Sequence, residues 1–204
     1  PLAVMDGRLI TEMRTAAASA AAARALAVET PEVVTIMGSG VQARAHAAAL
    51  ATVRPLGELR LWSRTESSGY AAAADIGATF FADAEQAVRG ADIVACTTSA
   101  TEPVLMGDWL KPGAFVVSVG WNGHNGRELD DMAMENIVLV EEIETAQDQA
   151  GNIRGSDCEI FAEIGEIFTG KKTIRGGATV IYDSVGVAIL DVSAAKLAYD
   201  LLTG

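Results

Sequence analysis

The sequence predicts an α/β fold built on a doubly wound parallel sheet, and three observations lead there. Short apolar, β-branched runs alternate with Ala-rich stretches of helical character, the pattern of parallel βαβ units. The first of those runs is followed at once by Gly38-Ser39-Gly40-Val41-Gln42-Ala43 and then by a helix-forming segment. Half of the 204 residues are hydrophobic but only 5% are aromatic. That composition suits close packing of helix on sheet better than an aromatic-lined barrel.

Pro1 to Asp6 is an apolar run closing in Asp6-Gly7, which reads as a strand entering a turn. A lone strand there has no obvious partner in the remaining sequence, and the chain opens without an initiator Met. The expectation is that a stretch of a longer protein precedes it. Thr11 to Val28 is Ala-rich with no Gly or Pro, hence helical. Val33 to Met37 is a fully buried strand, followed by a helix through Ala43 to Ala51. Glu58 to Ser63 is the second strand, with an Ala-rich helix after it up to Asp75. Thr79 to Ala82 is a short third strand, and Asp83 caps a helix running to Arg89. Ile93 to Thr97 and Phe115 to Val119 are the fourth and fifth strands. A helix from Glu128 to Met134 precedes the sixth, Ile137 to Val140. The remainder carries a helix around Ile160 to Phe168, an extended Ala178 to Tyr182 and a last helix from Val185 to Leu202. Six strands with helical crossovers imply the order 3-2-1-4-5-6 of a Rossmann-type sheet.

Lys and Arg number 15 against 27 Asp and Glu, a net charge of -12. Nothing in that balance attracts a phosphate backbone or an anionic membrane, so nucleic acid and membrane are excluded as partners. No apolar stretch reaches the ~18 residues of a membrane span, and no signal peptide is visible. The cytosol is the expected compartment. Cys96 sits in the run Ile93-Val94-Ala95-Cys96 and reads as a buried, inert thiol. With Cys158 the only other cysteine and no CxxC pattern, no metal site is expected.

The loop 38–43 carries the strongest functional signal. Gly38 allows a tight turn, Gly40 lets the backbone approach a pyrophosphate, and the small Ala43 lets helix and strand pack closely. N–H groups at the helix start then face the phosphates, which is how an acidic protein holds an anion. An NAD-preferring chain carries Asp or Glu about 20 residues on, bonded to the ribose hydroxyls. Here Leu61-Trp62 leads instead into Ser63-Arg64-Thr65, which can donate to a 2′-phosphate, with Arg64 adding charge. The expected cofactor is therefore NADP, with NAD possible; the competing reading of Arg64 is a solvated residue stacking on adenine.

Several stretches together resemble the ornithine cyclodeaminase/mu-crystallin family. They are Met5-Asp6-Gly7 with Thr11 and Arg14-Thr15-Ala16-Ala17, the glycine loop, and Thr98-Ser99 through Glu102-Pro103-Val104. Further on come Ser118-Val119-Gly120, Arg127-Glu128-Leu129-Asp130 and Asp183-Ser184-Val185-Gly186. The resemblance implies an NAD(P)-dependent imine reductase, amino-acid dehydrogenase or ornithine cyclodeaminase that works as a homodimer. It also implies that residues 1–30 and 178–204 belong to an incomplete substrate and dimerisation domain, with the dinucleotide domain at 31–177. Under it Arg14 lies near the substrate carboxylate, Val41 and Gln42 touch the pyrophosphate, and Thr98 or Ser99 meets the nicotinamide ribose. Val119 and Gly120 end the fifth strand in the same crevice, while Ser184 and Val185 contact cofactor and substrate. Without the resemblance, an ion pair of Arg14 with Glu12 or Asp6 competes.

One departure shapes the reading. Cyclodeaminases of the family carry an Asp after the fifth strand that handles protons; in Gly120-Trp121-Asn122-Gly123-His124-Asn125-Gly126 that position is Asn122. Asn has no titratable proton and cannot act as general base. His124 has the right pKa range for such work, though a His in a Gly/Asn turn also suits plain exposure. Gly126 stands where those enzymes carry a lysine. The expected activity is hydride transfer between NADP(H) and a small imino or amino acid, with a cyclodeaminase or a non-catalytic NADPH-binding protein as the alternatives. His46, the acidic run Glu141, Glu142 and Glu144, and the tryptophans Trp62 and Trp109 read as packing or solvated residues, and Trp121 as a candidate pocket wall.

Overall fold

The structure is a computed structural model that describes residues 2–121, 123 and 126–204. Its helices are α1 (Gly7–Leu26), α2 (Val41–Val53), α3 (Glu66–Ile76), α4 (Ala84–Val88), α5 (Asp131–Met134), α6 (Ile143–Gln149), α7 (Gly151–Arg154), α8 (Ile164–Phe168) and α9 (Ala188–Thr203). Its strands are β1 (Val33–Met37), β2 (Glu58–Trp62), β3 (Thr79–Phe81), β4 (Ile93–Cys96), β5 (Phe115–Ser118), β6 (Ile137–Val140), β7 (Ile160–Glu163) and β8 (Val180–Asp183). Among the described residues they form one eight-stranded sheet in the order β3-β2-β1-β4-β5-β8-β6-β7. Every pairing is parallel.

All strand C-termini therefore emerge along one edge. The central strands are apolar on both sides, as a parallel sheet covered by helices on both faces requires. On one face Val34, Ile36, Ile93, Ala95, Phe115, Val117, Leu139 and Tyr182 pack beneath α1 and α2. On the other, Met37, Val94, Cys96, Val116, Val138 and Ile181 meet Val88, Leu105, Leu129 and Met134. Burial pushes the Cys96 thiol well above its ordinary range, so it is inert as expected. Trp62 and Trp109 are half-buried against this second cluster.

The α/β class and the doubly wound parallel sheet are as the sequence predicts, but several details differ. The expected order 3-2-1-4-5-6 is broken because β8 enters between β5 and β6. Ile160 to Phe168 is a strand followed by a helix. Ile160, Ile164 and Ile167 share helical spacing, but Glu163 and Glu166 form a capping box that starts the helix only at Ile164. No strand occupies the described residues 2–6; Asp6 Oδ1 accepts from the Arg8 amide and caps α1, so Asp6-Gly7 opens a helix rather than a turn. Glu128 precedes α5, whose cap is Asp130, and α9 begins three residues later than the expected Val185.

α1 lies along α2 and also touches α9. The α1–α2 contact is Ala-rich, and a buried polar link crosses it: His46 Nε2 lies 2.9 Å from Ser19 Oγ, while Nδ1 donates to the Gln42 carbonyl at 2.8 Å. His46 is fully buried, and that burial lowers its pKa to about 4.

Candidate functional site

The turn after β1 is shaped by its neighbours. Gly38 has φ +118°, and a Cβ there would come within 2.7 Å of Thr97 Oγ1 and 2.8 Å of the Thr97 carbonyl. Its amide donates to the Trp62 carbonyl at 2.8 Å, tying the turn to β2. Ser39 Oγ lies 2.9 Å from both Ser63 Oγ and Ser68 Oγ, joining the turn to the start of α3. Arg44 braces it from behind, donating to the carbonyls of Ser39 and Gly40 and pairing with Asp75.

Gly40 caps α2 without a side-chain hydrogen bond, so the first helical amides have no partner within the helix. The position a Gly40 Cβ would take is open, with nothing within 4 Å. These groups face a cleft of about 410 Å³. Gly38, Gly40, Val41 and Gln42 line one end, and Ser63, Arg64 and Thr65 lie at the end of β2. Thr98, Ser99, Val119, Gly120 and Trp121 line the side beyond β4 and β5. Arg64 is the only charged side chain among the described lining residues, and no carboxylate is present. Gln42 Oε1 is buried without a partner. A free helix N-terminus and an open backbone cradle suit a phosphate-bearing dinucleotide.

Behind the cleft lies a polar network; its Ser118, Glu128 and Asp183 lie in the stretches that carry the family resemblance, but the sequence assigns no role to them or to Asn152. Glu128, 2% exposed, accepts from the Thr98 amide (2.6 Å), Thr98 Oγ1 (2.6 Å), Ser118 Oγ (2.7 Å) and the Gly120 amide (2.8 Å). Burial raises its pKa and these four bonds oppose the rise. Asn152 joins it to β8, accepting from the Glu128 and Leu129 amides and donating to Ser118 Oγ and Asp183 Oδ1. Asp183 Oδ2 has no partner. Burial pushes Asp183 up to about 7; the Asn152 bond opposes this, and the charges of Glu128 and Glu141 add to it.

Ser184 and Val185 fall outside that cleft. Ser184 Oγ donates to Glu141 Oε1 in a short bond, and the buried Tyr182 hydroxyl lies beside both. Burial raises the Tyr182 pKa first, and Glu141 adds to it. The solvated reading of Glu141 is thus corrected: the turn after β6 aims it at the end of β8, and its Oε2 is buried and unpartnered. Val185 packs against the second core cluster. Arg14 is in an ion pair, but with Asp191 of α9 at 3.1 Å rather than with Glu12 or Asp6, and its guanidinium lies over Gly186. Asn122 and His124 lie outside the described residues. The missed groups had a faint signal: Ser118 and Asp183 are polar residues closing fully buried strands. Asn152 had none.

A parallel sheet whose first crossover turns through glycines into a free helix N-terminus is a Rossmann-type α/β fold. The chain belongs to the ornithine cyclodeaminase/mu-crystallin family, whose model matches residues 1–204. It is 40% identical over 202 residues to the ketimine reductase mu-crystallin of Mus musculus, covering 98% of this chain and 64% of that protein. The chain thus spans less than two thirds of that relative's length. It is 36% identical over 217 residues to a Delta(1)-pyrroline-2-carboxylate reductase of Bacillus cereus, covering 98% of this chain and 66% of that one. Among solved structures, the Delta(1)-pyrroline-2-carboxylate reductase of Thermococcus litoralis, in complex with NADH and L-proline, superposes with a TM-score of 0.89 at 32% identity over 96% of this chain and 66% of that one. An archaeal alanine dehydrogenase dimer with bound NAD gives 0.90 at 30% identity, over 98% and 66%.

Proposed function

We propose that this chain is the dinucleotide-binding part of an NAD(P)H-dependent imine reductase that converts a small cyclic or ketimine imino acid to the amino acid. The observation that carries the reading is the carboxylate-free cleft running from the open α2 N-terminus to Arg64. The α2 amides and Gln42 would hold the pyrophosphate, and Ser63, Arg64 and Thr65 the adenosine ribose with its 2′-phosphate, which favours NADP over NAD. The nicotinamide supplies the hydride when bound. Thr98, Ser99, Val119 and Gly120 would shape the nicotinamide half. Arg14, released from Asp191, would offer its fork to the substrate carboxylate, with Ser184 and Val185 near the same end. Asn122 cannot take up a proton, which disfavours water activation for deamination. The named activities of the relatives, ketimine and pyrroline-2-carboxylate reduction, support the same direction.

The test is an assay of the whole protein. NADPH should be consumed with a cyclic imine carboxylate, and ornithine should release no ammonia. Ammonia release without net change in the dinucleotide would make the protein a cyclodeaminase, and tight NADPH binding without turnover a binding protein. Within the same experiment, Arg64→Ala should weaken NADPH by about 1.5–3 kcal/mol, the worth of a charge-assisted bond, and spare NADH. Equal losses for both would show that Arg64 does not read the 2′-phosphate.

We further propose a homodimer in a reducing, cytoplasmic setting. Both cysteines are free. Leu2, Val4, Leu9 and Met13 at one end of the chain, and Ile189, Val192, Leu197 and Leu201 on α9, are exposed. Such a surface is large for a monomer. With α1 packed on α9, it supports assigning the chain ends to a dimerisation and substrate unit. Sedimentation at micromolar concentration should give a dimer; a monodisperse monomer would remove the proposal. Cell fractionation checks the compartment.

A further inference from the structure

The ladder bonds between β1, β4 and β5 end at Thr97 and Val119, on the rim of the cleft. The Thr97 amide donates to the Met37 carbonyl and the Val119 amide to the Cys96 carbonyl, each at a ladder distance of 2.8–2.9 Å. The next described amides to find a partner on each strand, those of Thr98 and Gly120, both turn to one side chain, the carboxylate of Glu128. β4 and β5 are therefore joined past the end of the sheet by a single buried acid.

Four donors converge on that acid. The Ala100 amide donates to Thr98 Oγ1, so the Thr98 hydroxyl proton is free for Glu128. Asn152 Nδ2 donates to Ser118 Oγ, so the Ser118 proton is likewise free. Both oxygens of Glu128 thus accept two bonds each, and two of the four come from backbone amides that can only donate, an arrangement that favours the ionised form against the burial that raises its pKa. The fit is close: a Cβ on Gly120 would sit 2.3 Å from Glu128 Cδ. The two halves of the cleft differ in this respect. Ser39, Ser63 and the α2 amides make no bond to Glu128, whereas Thr98 and Gly120 hang from it.

We propose that Glu128 is a positioning residue for the nicotinamide half of the cofactor, its carboxylate setting the spacing of the Thr98 and Gly120 backbones against which that half lies. This rests on the dinucleotide reading above. The amide of a Gln in its place would set an N–H against either the Thr98 or the Gly120 amide, loosening that strand end while the glycine turn stays intact.

The test compares a whole dinucleotide with a ligand that fills only the adenosine half. Affinities of NADPH and of 2′,5′-ADP are measured by calorimetry for the protein and for Glu128→Gln, with NADH and ADP as the pair lacking the 2′-phosphate. Glu128→Gln should weaken NADPH by roughly tenfold or more, as the loss of a charge-assisted bond implies, and leave 2′,5′-ADP within about twofold. A global loss of structure would move both ligands alike. If Glu128→Gln does not fold, Ser118→Ala removes a single bond to the clamp from a side chain outside the cleft. It should show the same selective loss at smaller size. Equal weakening of both ligands, or unchanged NADPH affinity, overturns the proposal. A protein that binds neither pair overturns the dinucleotide reading and this one with it, whereas binding of both with no selective loss removes only the role of Glu128.

Discussion

Gly38→Ala should lower both stability and dinucleotide affinity, whereas Gly40→Ala should lower affinity alone. At Gly38 the backbone has φ +118° and the new methyl would meet Thr97 Oγ1 at 2.7 Å and the Thr97 carbonyl at 2.8 Å. Thr97 cannot simply rotate away without giving up its hydroxyl bond to the Met37 carbonyl. The turn must move instead, taking with it the Gly38–Trp62 bond and the start of α2. Strain and a lost buried bond together are worth on the order of 2–4 kcal/mol. At Gly40, φ is -80° and nothing lies within 4 Å of the added Cβ, so the fold accepts alanine. That methyl instead projects where the backbone must approach the pyrophosphate. Thermal melts beside NADPH titrations separate the two. A wild-type melting temperature for Gly38→Ala, or a large drop for Gly40→Ala, would mean that the turn is not held as described.

Asp183→Asn should stabilise the protein at pH 8 and do so less as the pH falls. Burial raises Asp183 from an ordinary 3.8 to about 7. Between those values the folded chain holds a proton that the unfolded chain has released, so stability falls as pH rises and levels off above 7. The contribution is at most on the order of 4 kcal/mol. Asn keeps an acceptor for the Asn152 bond and carries no charge to desolvate. Its advantage should grow from pH 4 to pH 7, reaching several degrees of melting temperature. A gain independent of pH, or a loss at pH 8, would refute the account. His46 works the other way. Lowered to about 4 by burial, it remains neutral in the fold while the unfolded chain takes up a proton below about 6.5. Stability from His46 is therefore lost as pH falls from 6.5 to 4. Over that window the two slopes oppose each other, so single variants reveal what the wild-type curve hides.

How much of this was legible from residues alone depends on whether the signal is local. The strands β1 to β6 are runs of adjacent apolar residues, and the glycine turn is six consecutive residues, so both could be read directly. The cleft-lining positions from Gly38 to Gly120 follow from the rule that ligands gather beyond strand C-termini. What could not be read depends on distant partners. β8 is an ordinary apolar segment whose place between β5 and β6 is set by pairing across more than 40 residues of chain from β6 and more than 60 from β5. Glu128, Asn152 and Asp183 are scattered polar residues that become a network only once three strand ends meet. Glu141 sits in a run of three acids in four residues, where solvation is the natural reading. Asp6 misled for a different reason: Asp-Gly serves a turn and a helix start equally well, and the Arg8 amide decided it.

The position of β8 governs the order in which this domain can be built. Until residues 180–183 leave the ribosome, β3-β2-β1-β4-β5 and β6-β7 are separate half-sheets, with β5 and β6 as open edges. Nascent β5 and β6 each present unpaired backbone groups to their surroundings, and in the final order β8 lies between them. Synthesis at about 5–20 residues per second makes this exposure last for seconds. The last strand is thus a keystone, and the halves it joins depend on late arrival and on whatever shields their edges in the meantime.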